Sequence, residues 1–184
     1  MDVIKTDTTG VATAPMAGVR DHTESGAGIL ERVYNEYAAV SFRYARALLI
    51  SPDDAEDAVA EVFAKLARDI ERLERIRDVR FYLLRAARNA AYGILRGRQR
   101  RERLEQDAAQ RLSLYGPDDF TGLEQAVLEA YADLPPEQRE VLALKAFQGL
   151  TFREIALVVG KPQNTVSARY RYAIERLRKN VRNG

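Results

Sequence analysis

Three carboxylates lie close together in the first third of the chain. Asp54, Asp57 and Glu61 are three and four residues apart, so a helix would place them on one face. Clustered carboxylates can carry out general acid–base chemistry or hold a divalent cation. No glycine-rich phosphate loop accompanies them, and the one histidine, His22, lies in the N-terminal segment. The cluster therefore predicts an acidic docking surface, with plain solubility as the alternative, and no catalytic or metal site.

A second group of side chains combines positive charge with an amide and an aromatic ring. Residues 79–100 predict a helix in which these side chains lie largely off the apolar stripe. The group consists of Arg85, Arg88, Asn89, Tyr92 and Arg96. Such residues supply phosphate contacts, base-edge hydrogen bonds and stacking platforms for unpaired bases. The alternatives are a solvated basic face and, for the tyrosine, packing at a domain boundary.

A third pattern, at residues 150–178, predicts two short helices joined by a tight turn. Thr151 can cap the first helix, and Glu154 completes a capping box. Gly160 ends that helix, and the second helix begins at Asn164 or Thr165. A helix-turn-helix whose second helix is basic is the arrangement that enters a DNA major groove. An ordinary helical hairpin with a solvated basic face is the alternative.

The second helix of this pattern separates apolar from polar positions. Its apolar side contains Val166, Tyr170, Ala173, Leu177 and Val181. Its remaining positions include Ser167, Arg169, Arg171, Arg178 and Lys179. Because the apolar side must pack on the domain, the polar and basic positions are left to meet a ligand.

The elements that carry these groups are all predicted to be helices, because no segment shows sustained alternation. One helix begins near Ile29, with a possible break at residues 39–41. Ser51 and Pro52 open the next helix as cap and first residue. Residues 68–80 alternate in charge and predict a frayed helix end followed by a loop. Further on, helices begin near Thr121 and at Glu137.

The order of these elements predicts an all-α chain of two small helical domains. A tail rich in Thr, Ala and Gly occupies residues 1–27, and the first domain occupies residues 28–104. The composition shifts to Arg, Gln, Glu and Asp from Gly97, and residues 105–120 are predicted to form a flexible linker. The second domain, with the helix-turn-helix, occupies residues 121–184.

Composition and charge narrow the possible functions. The chain has no cysteine, which excludes disulfides and thiolate metal sites, and nothing in it calls for a cofactor. It has neither a secretory signal nor a run of about 20 apolar residues, so a cytoplasmic protein without membrane insertion is expected. The net charge is only +2, but acidic and basic residues are segregated. This segregation suggests two kinds of partner, one of them a phosphate backbone.

Taken together, these segments resemble a known family. DAEDAVAEVF (residues 54–63) and FYLLRAARNAAYGILRGRQRR (residues 81–101) resemble region 2 of bacterial RNA polymerase sigma factors. Residues 134–178, beginning LPPEQREVLALKAF, resemble region 4. With both regions in one short chain, the match is to the extracytoplasmic-function (ECF) group of the sigma-70 family. The resemblance covers roughly residues 29–104 and 121–182.

The resemblance implies a non-enzymatic protein that binds core RNA polymerase and directs initiation at promoter DNA. Its polymerase-docking positions are Asp54, Asp57 and Glu61. Its −10 element positions are Arg85, Arg88, Asn89, Tyr92 and Arg96, together with the loop at residues 68–80. Its −35 element positions are Thr165, Ser167, Ala168, Arg169, Arg171 and Tyr172. An anti-sigma factor is a further partner that the family allows.

The chain departs from the family pattern at a few positions, which puts particular base contacts in question. Many relatives have aspartate at Gly93 and glutamine at Ala60, and the tryptophans frequent in region 2 are missing here. Ser167 stands where a basic residue is frequent. Two other functions compete with this interpretation. A stand-alone helix-turn-helix regulator would leave the acidic helix and the first basic helix without a role, and an enzyme has almost no supporting residues in this sequence.

Overall fold

The computed structural model describes residues 26–104 and 122–183, and these residues form helices joined by short turns, without a strand. The helices are α1 (Gly26–Leu49), α2 (Pro52–Arg68), α3 (Ile70–Glu74), α4 (Val79–Leu104), α5 (Gly122–Ala132), α6 (Pro136–Ala146), α7 (Phe152–Val159) and α8 (Gln163–Asn183). The all-α prediction is confirmed. Nearly all of the predicted tail and the whole predicted linker lie outside the described residues. In the described ranges, no helix has the length and apolar character needed to cross a bilayer.

Helices α1, α2 and α4 pack against one another and form the first domain. Tyr44, Leu48, Leu66 and Leu84 are among the side chains that this packing buries almost completely. As predicted, Ser51 caps α2: its hydroxyl oxygen accepts a hydrogen bond from the backbone N–H of Asp54 at 3.3 Å, and proline occupies the first helical position. The cap fixes where α2 begins, and therefore how its acidic face is oriented.

The first domain differs from the sequence prediction at three places. Helix α1 has no break at residues 39–41, where Ser41 is buried and the helix continues. The predicted loop at residues 68–80 contains the short helix α3, which Asp69 caps by accepting the Arg72 N–H and which the buried Leu73 anchors. Helix α4 continues through Gly97 to Leu104, so the change in composition precedes the end of the helix.

Helix α8 packs against α5, α6 and α7 and organises the second domain. The capping box at the start of α7 is confirmed: Thr151 and Glu154 exchange side-chain and backbone hydrogen bonds, which lower the pKa of the glutamate. Gly160 ends α7 in the left-handed conformation, with φ 66°, as the sequence predicted. Helix α8 begins at Gln163, slightly before the predicted start.

Gly160 and Gly97 give a matched pair of stability predictions. Gly160→Ala should lower the free energy of unfolding by about 1 kcal/mol, because a β-carbon disfavours the left-handed conformation. Gly97→Ala should raise it by about 0.5–1 kcal/mol, because Gly97 lies inside α4 with open space around its Cα. Thermal unfolding followed by circular dichroism measures both. A shift of the same sign in the two variants would contradict the explanation.

The two domains contact each other. Helix α6 packs against α1, and α7 packs against α4, so that Val141 and Leu144 share one apolar cluster with Leu48. At the edges of this contact, the Tyr131 hydroxyl donates to the Ala47 carbonyl at 3.0 Å. The Arg80 guanidinium donates to the carbonyl of Gln148 at 2.6 Å. The sequence predicted two separate domains, and nothing in it predicted this interface.

Candidate nucleic-acid and protein interfaces

The three predicted docking carboxylates lie on one helix, α2, but in different environments. Asp57 and Glu61 are exposed, and Glu61 forms an ion pair with Lys65 one turn further on. Asp54 is partly buried and forms an ion pair with Arg98 of α4. Among the described residues, no group of three or more acidic or histidine side chains could hold a metal ion. Asp57 and Glu61 are therefore open to solvent, whereas Asp54 already contributes to the packing of α2 on α4.

The predicted −10 residues divide into two sets on α4. Arg85, Asn89 and Arg96 are exposed, at intervals of four and seven residues, and therefore share one face of the helix. This face carries two positive charges and an amide that can donate to phosphate or to a base edge. Arg88 and Tyr92 are partly buried and point toward the second domain.

Arg88 and Tyr92 bind a carboxylate that the sequence prediction did not include. Arg88 Nε donates to Glu140 Oε1 at 2.5 Å, and the Tyr92 hydroxyl donates to Oε2 at 3.1 Å. The Tyr44 hydroxyl of α1 donates to Oε1 at 3.3 Å. The Arg88 guanidinium also lies over the Tyr92 ring, 4.7 Å from its centroid. Glu140 is fully buried, so three first-domain side chains surround one second-domain charge.

The pKa values in this cluster follow from its burial. Burial raises the pKa of Glu140, and the Arg88 charge together with the three hydrogen bonds opposes that rise without cancelling it. Burial and the Glu140 charge raise the pKa of Tyr44 well above its ordinary value, and the pKa of Tyr92 rises for the same reasons. Both tyrosines therefore stay protonated and remain hydrogen-bond donors to the carboxylate.

A signal for Glu140 was present in the sequence. The residue precedes Leu144 by one turn of the same helix and comes directly before the apolar sequence VLAL. A charge on an otherwise apolar helix face usually has a buried partner. The identity of that partner could not be inferred, since Arg88 is 52 residues away in the sequence and Tyr44 is 96 residues away.

Helix α8 places the six predicted −35 residues in its first three turns. Arg171 and Tyr172 are exposed, and the Arg171 guanidinium lies over the Tyr172 ring, 5.2 Å from its centroid. Ser167 donates its hydroxyl to the backbone carbonyl of Gln163 at 2.8 Å. The half-buried members of the set are Thr165, Ser167, Ala168 and Arg169. The exposed arginine and tyrosine can reach furthest from the protein surface.

The position of α8 is fixed by contacts on its opposite side. Val166 and Ala173 are completely buried, and Tyr170 makes an edge-to-face contact with Phe152 of α7 at 5.4 Å between ring centroids. These contacts hold α8 against α7 and leave the basic face outward. A second helix held in this way can present its N-terminal part to the base edges of a major groove.

Comparisons with known proteins agree with this arrangement. The family described as Sigma-70 region 2 matches residues 33–101, and Sigma-70, region 4 matches residues 130–179. The ECF RNA polymerase sigma factor SigL of Mycobacterium tuberculosis is 29% identical over 167 residues, which cover 89% of this chain and 94% of SigL. The ECF RNA polymerase sigma-E factor of Haemophilus influenzae is 27% identical over 154 residues, which cover 77% of this chain and 79% of that protein.

A solved structure shows the same fold. The sigma factor RpoE in complex with the anti-sigma factor NepR, from Bartonella quintana, superposes with a TM-score of 0.70 at 20% identity. The match covers 83% of this chain and 96% of that chain. The two matched family regions lie in the predicted order, on the helices that carry the acidic and basic faces. The chain therefore belongs to the ECF group of the sigma-70 family and has a sigma factor's role with RNA polymerase.

Proposed function

We propose that this sigma factor directs core RNA polymerase to promoters by reading a −35 element with α8 and a −10 element with α4. The observation that carries the proposal is the presence of two exposed basic helix faces on the two domains of one chain. Arg171 is the central −35 contact, because an arginine bidentate to guanine contributes about 1–3 kcal/mol of discrimination. Tyr172 packs beside it and can contact a thymine methyl group or the sugar.

The −10 element requires a different kind of contact. Opening a duplex and extruding a base costs a few kcal/mol, which a binding site must offset with stacking and hydrogen bonds. Arg85, Asn89 and Arg96 supply the exposed polar face for the strand. Arg88 and Tyr92 supply a guanidinium and an aromatic ring that lie beside that face and already bind an anion, the carboxylate of Glu140.

In this function, the exposed part of α2 binds core polymerase. Asp57 and Glu61 are exposed there, whereas Asp54 forms an ion pair with Arg98 and contributes less. The polymerase supplies the chemistry of RNA synthesis, so this chain has a non-enzymatic role and acts in the cytoplasm, where its polymerase partner works. Since the structural relative from Bartonella quintana was solved with an anti-sigma factor, such a regulator is included among the proposed partners.

Transcription in vitro tests this function. Purified chain and core polymerase are incubated with a library of genomic fragments, and transcript start sites are mapped. The expected result is a small set of promoters with shared sequences near −35 and −10 that are silent with core polymerase alone. Specific binding of the chain to duplex DNA without any association with core polymerase would instead favour a stand-alone helix-turn-helix regulator.

A further inference from the structure

Helix α4 contains a glycine in the middle of its exposed polar face. Gly93 lies well inside Val79–Leu104 and is exposed, on the same side of the helix as Arg85, Asn89 and Arg96. A glycine inside a helix destabilises it relative to alanine. Apart from the backbone of the helix itself, a β-carbon at Gly93 would meet only Arg96 Nη2, at 4.0 Å. Packing within the described part of the chain therefore does not require glycine at this position.

The Arg96 guanidinium lies beside this gap and is free to bind an anion. Its Nη2 atom is the one that lies 4.0 Å from the position that a Gly93 β-carbon would occupy. None of the ion pairs between described residues includes Arg96. Helix α4 also contains no carboxylate before Glu102. A positive charge therefore borders a stretch of bare helix backbone, and no anion of this helix neutralises it.

Asn89 borders the gap on the other side. It is exposed and lies four residues before Gly93, so its amide and the Arg96 guanidinium stand at the two ends of the gap. Both groups carry N–H donors, whereas the peptide groups between them are engaged within the helix. A phosphate group matches this combination, because it accepts several hydrogen bonds and carries a negative charge. A base edge would find few partners here, since only the amide of Asn89 can both donate and accept.

We propose that Gly93, Asn89 and Arg96 form a seat for one backbone phosphate of the unpaired −10 strand. Without a β-carbon at Gly93, the phosphate lies against the helix backbone, where Arg96 and Asn89 bind it from both sides. The seat positions the strand and does not read its bases. This inference rests on the proposed role of α4 at the −10 element. It adds which part of the strand the middle of the helix contacts.

Promoter opening by the chain bound to core polymerase tests the seat. The DNA is a promoter found in the library experiment, and a fluorescent adenine analogue in its −10 segment reports strand separation. Gly93→Ala should lower the rate of opening about fivefold, because the β-carbon moves the phosphate away from the helix. Gly93→Leu, whose side chain covers the seat, should lower it about 20-fold. Neither change should alter the affinity for core polymerase.

The matched control is Gly97→Ala, one turn further along α4 and beyond Arg96. Both alanine variants should raise the melting temperature of the free chain by about 2 °C, since each replaces a glycine inside the same helix. Only Gly93→Ala should slow opening. An equal loss in Gly97→Ala would show that opening falls with the stiffness of the helix, and the seat would be rejected.

Neutral linkages in the DNA identify the phosphate. Each promoter of a series carries one methylphosphonate in the −10 segment in place of one charged phosphate. At one linkage, the neutral group should slow opening by the unsubstituted chain about tenfold and by Gly93→Ala only about twofold, because alanine has already weakened that contact. Equal effects on both proteins at every linkage would exclude a phosphate as the ligand. A Gly93→Ala loss that changed with the −10 base sequence would exclude it as well.

Two results separate the seat from the proposed function. If the unsubstituted chain with core polymerase opens no promoter, the proposed function fails and the seat fails with it. If the unsubstituted chain opens promoters and Gly93→Ala opens them equally fast, the seat alone fails. Because Gly93→Ala is expected to stabilise the chain, slower opening in that variant does not reflect unfolding.

Discussion

Replacing Asp57 and Glu61 together by lysine should weaken binding to core RNA polymerase by about 100-fold, the largest effect expected for any surface change in this chain. Both carboxylates are exposed on α2, and they lie one turn apart. Reversal removes two attractive charges and places two cations against a surface that accepts anions. Charges at the edge of an interface also raise the association rate of the two proteins. Most of the salt dependence of binding should therefore disappear when Asp57 and Glu61 are reversed. Titration of labelled chain with core polymerase at two salt concentrations measures both quantities.

The control for this double variant must carry the same change in net charge. Glu56→Lys with Glu74→Lys reverses two exposed carboxylates, on α2 and α3, outside the proposed docking face. It should retain nearly full polymerase binding. The double reversal also breaks the ion pair between Glu61 and Lys65 and places three lysines at successive turns of α2, at a cost to the helix of about 1 kcal/mol. Thermal unfolding should therefore shift only slightly, and polymerase binding that survives the double reversal would refute the docking assignment.

Local features of this fold could be predicted from the sequence because their causes lie within a few residues. The cap at Ser51, the capping box at Thr151 and the left-handed end at Gly160 each depend only on neighbouring residues at one end of a single helix. The buried side of α8, including Val166 and Ala173, follows from helical spacing. Helix α3 was missed because five residues with a single buried leucine are too short to show a periodicity.

Contacts between distant segments could not be predicted in the same way. The Glu140 cluster joins residues that are 48 to 96 positions apart, and each of its members also has an acceptable explanation in isolation. Arg88 resembled a phosphate contact and Tyr92 a boundary aromatic. Tyr92 does lie at the boundary between the domains, whereas Arg88 binds the carboxylate of Glu140. Only the three-dimensional structure shows that the same two groups face a buried acid. The predicted −10 set therefore remains a proposal, now with two members in a different environment from the other three.

Arg171→Ala should reduce transcription from a −35-dependent promoter by about 10- to 100-fold and leave core polymerase binding unchanged. The guanidinium is exposed on α8 and stacks on Tyr172, so its removal leaves no buried group unsatisfied. The effect should consequently come from lost DNA contacts, without a change in the melting temperature. Abortive transcription from a promoter identified in the library experiment measures the effect, and a pull-down with core polymerase checks the docking.

Two further variants decide what kind of contact Arg171 makes. Arg171→Lys keeps the charge but loses the bidentate fork that reads guanine. Strong loss of transcription in both Arg171→Lys and Arg171→Ala therefore indicates base readout, whereas activity in the lysine variant indicates a phosphate contact. Arg176→Ala is the matched control, because Arg176 is exposed on α8 about 140° around the helix axis from Arg171. If that variant lost as much transcription as Arg171→Ala, the effect would reflect the overall charge of the helix, and the assignment of Arg171 as the −35 reader would fail.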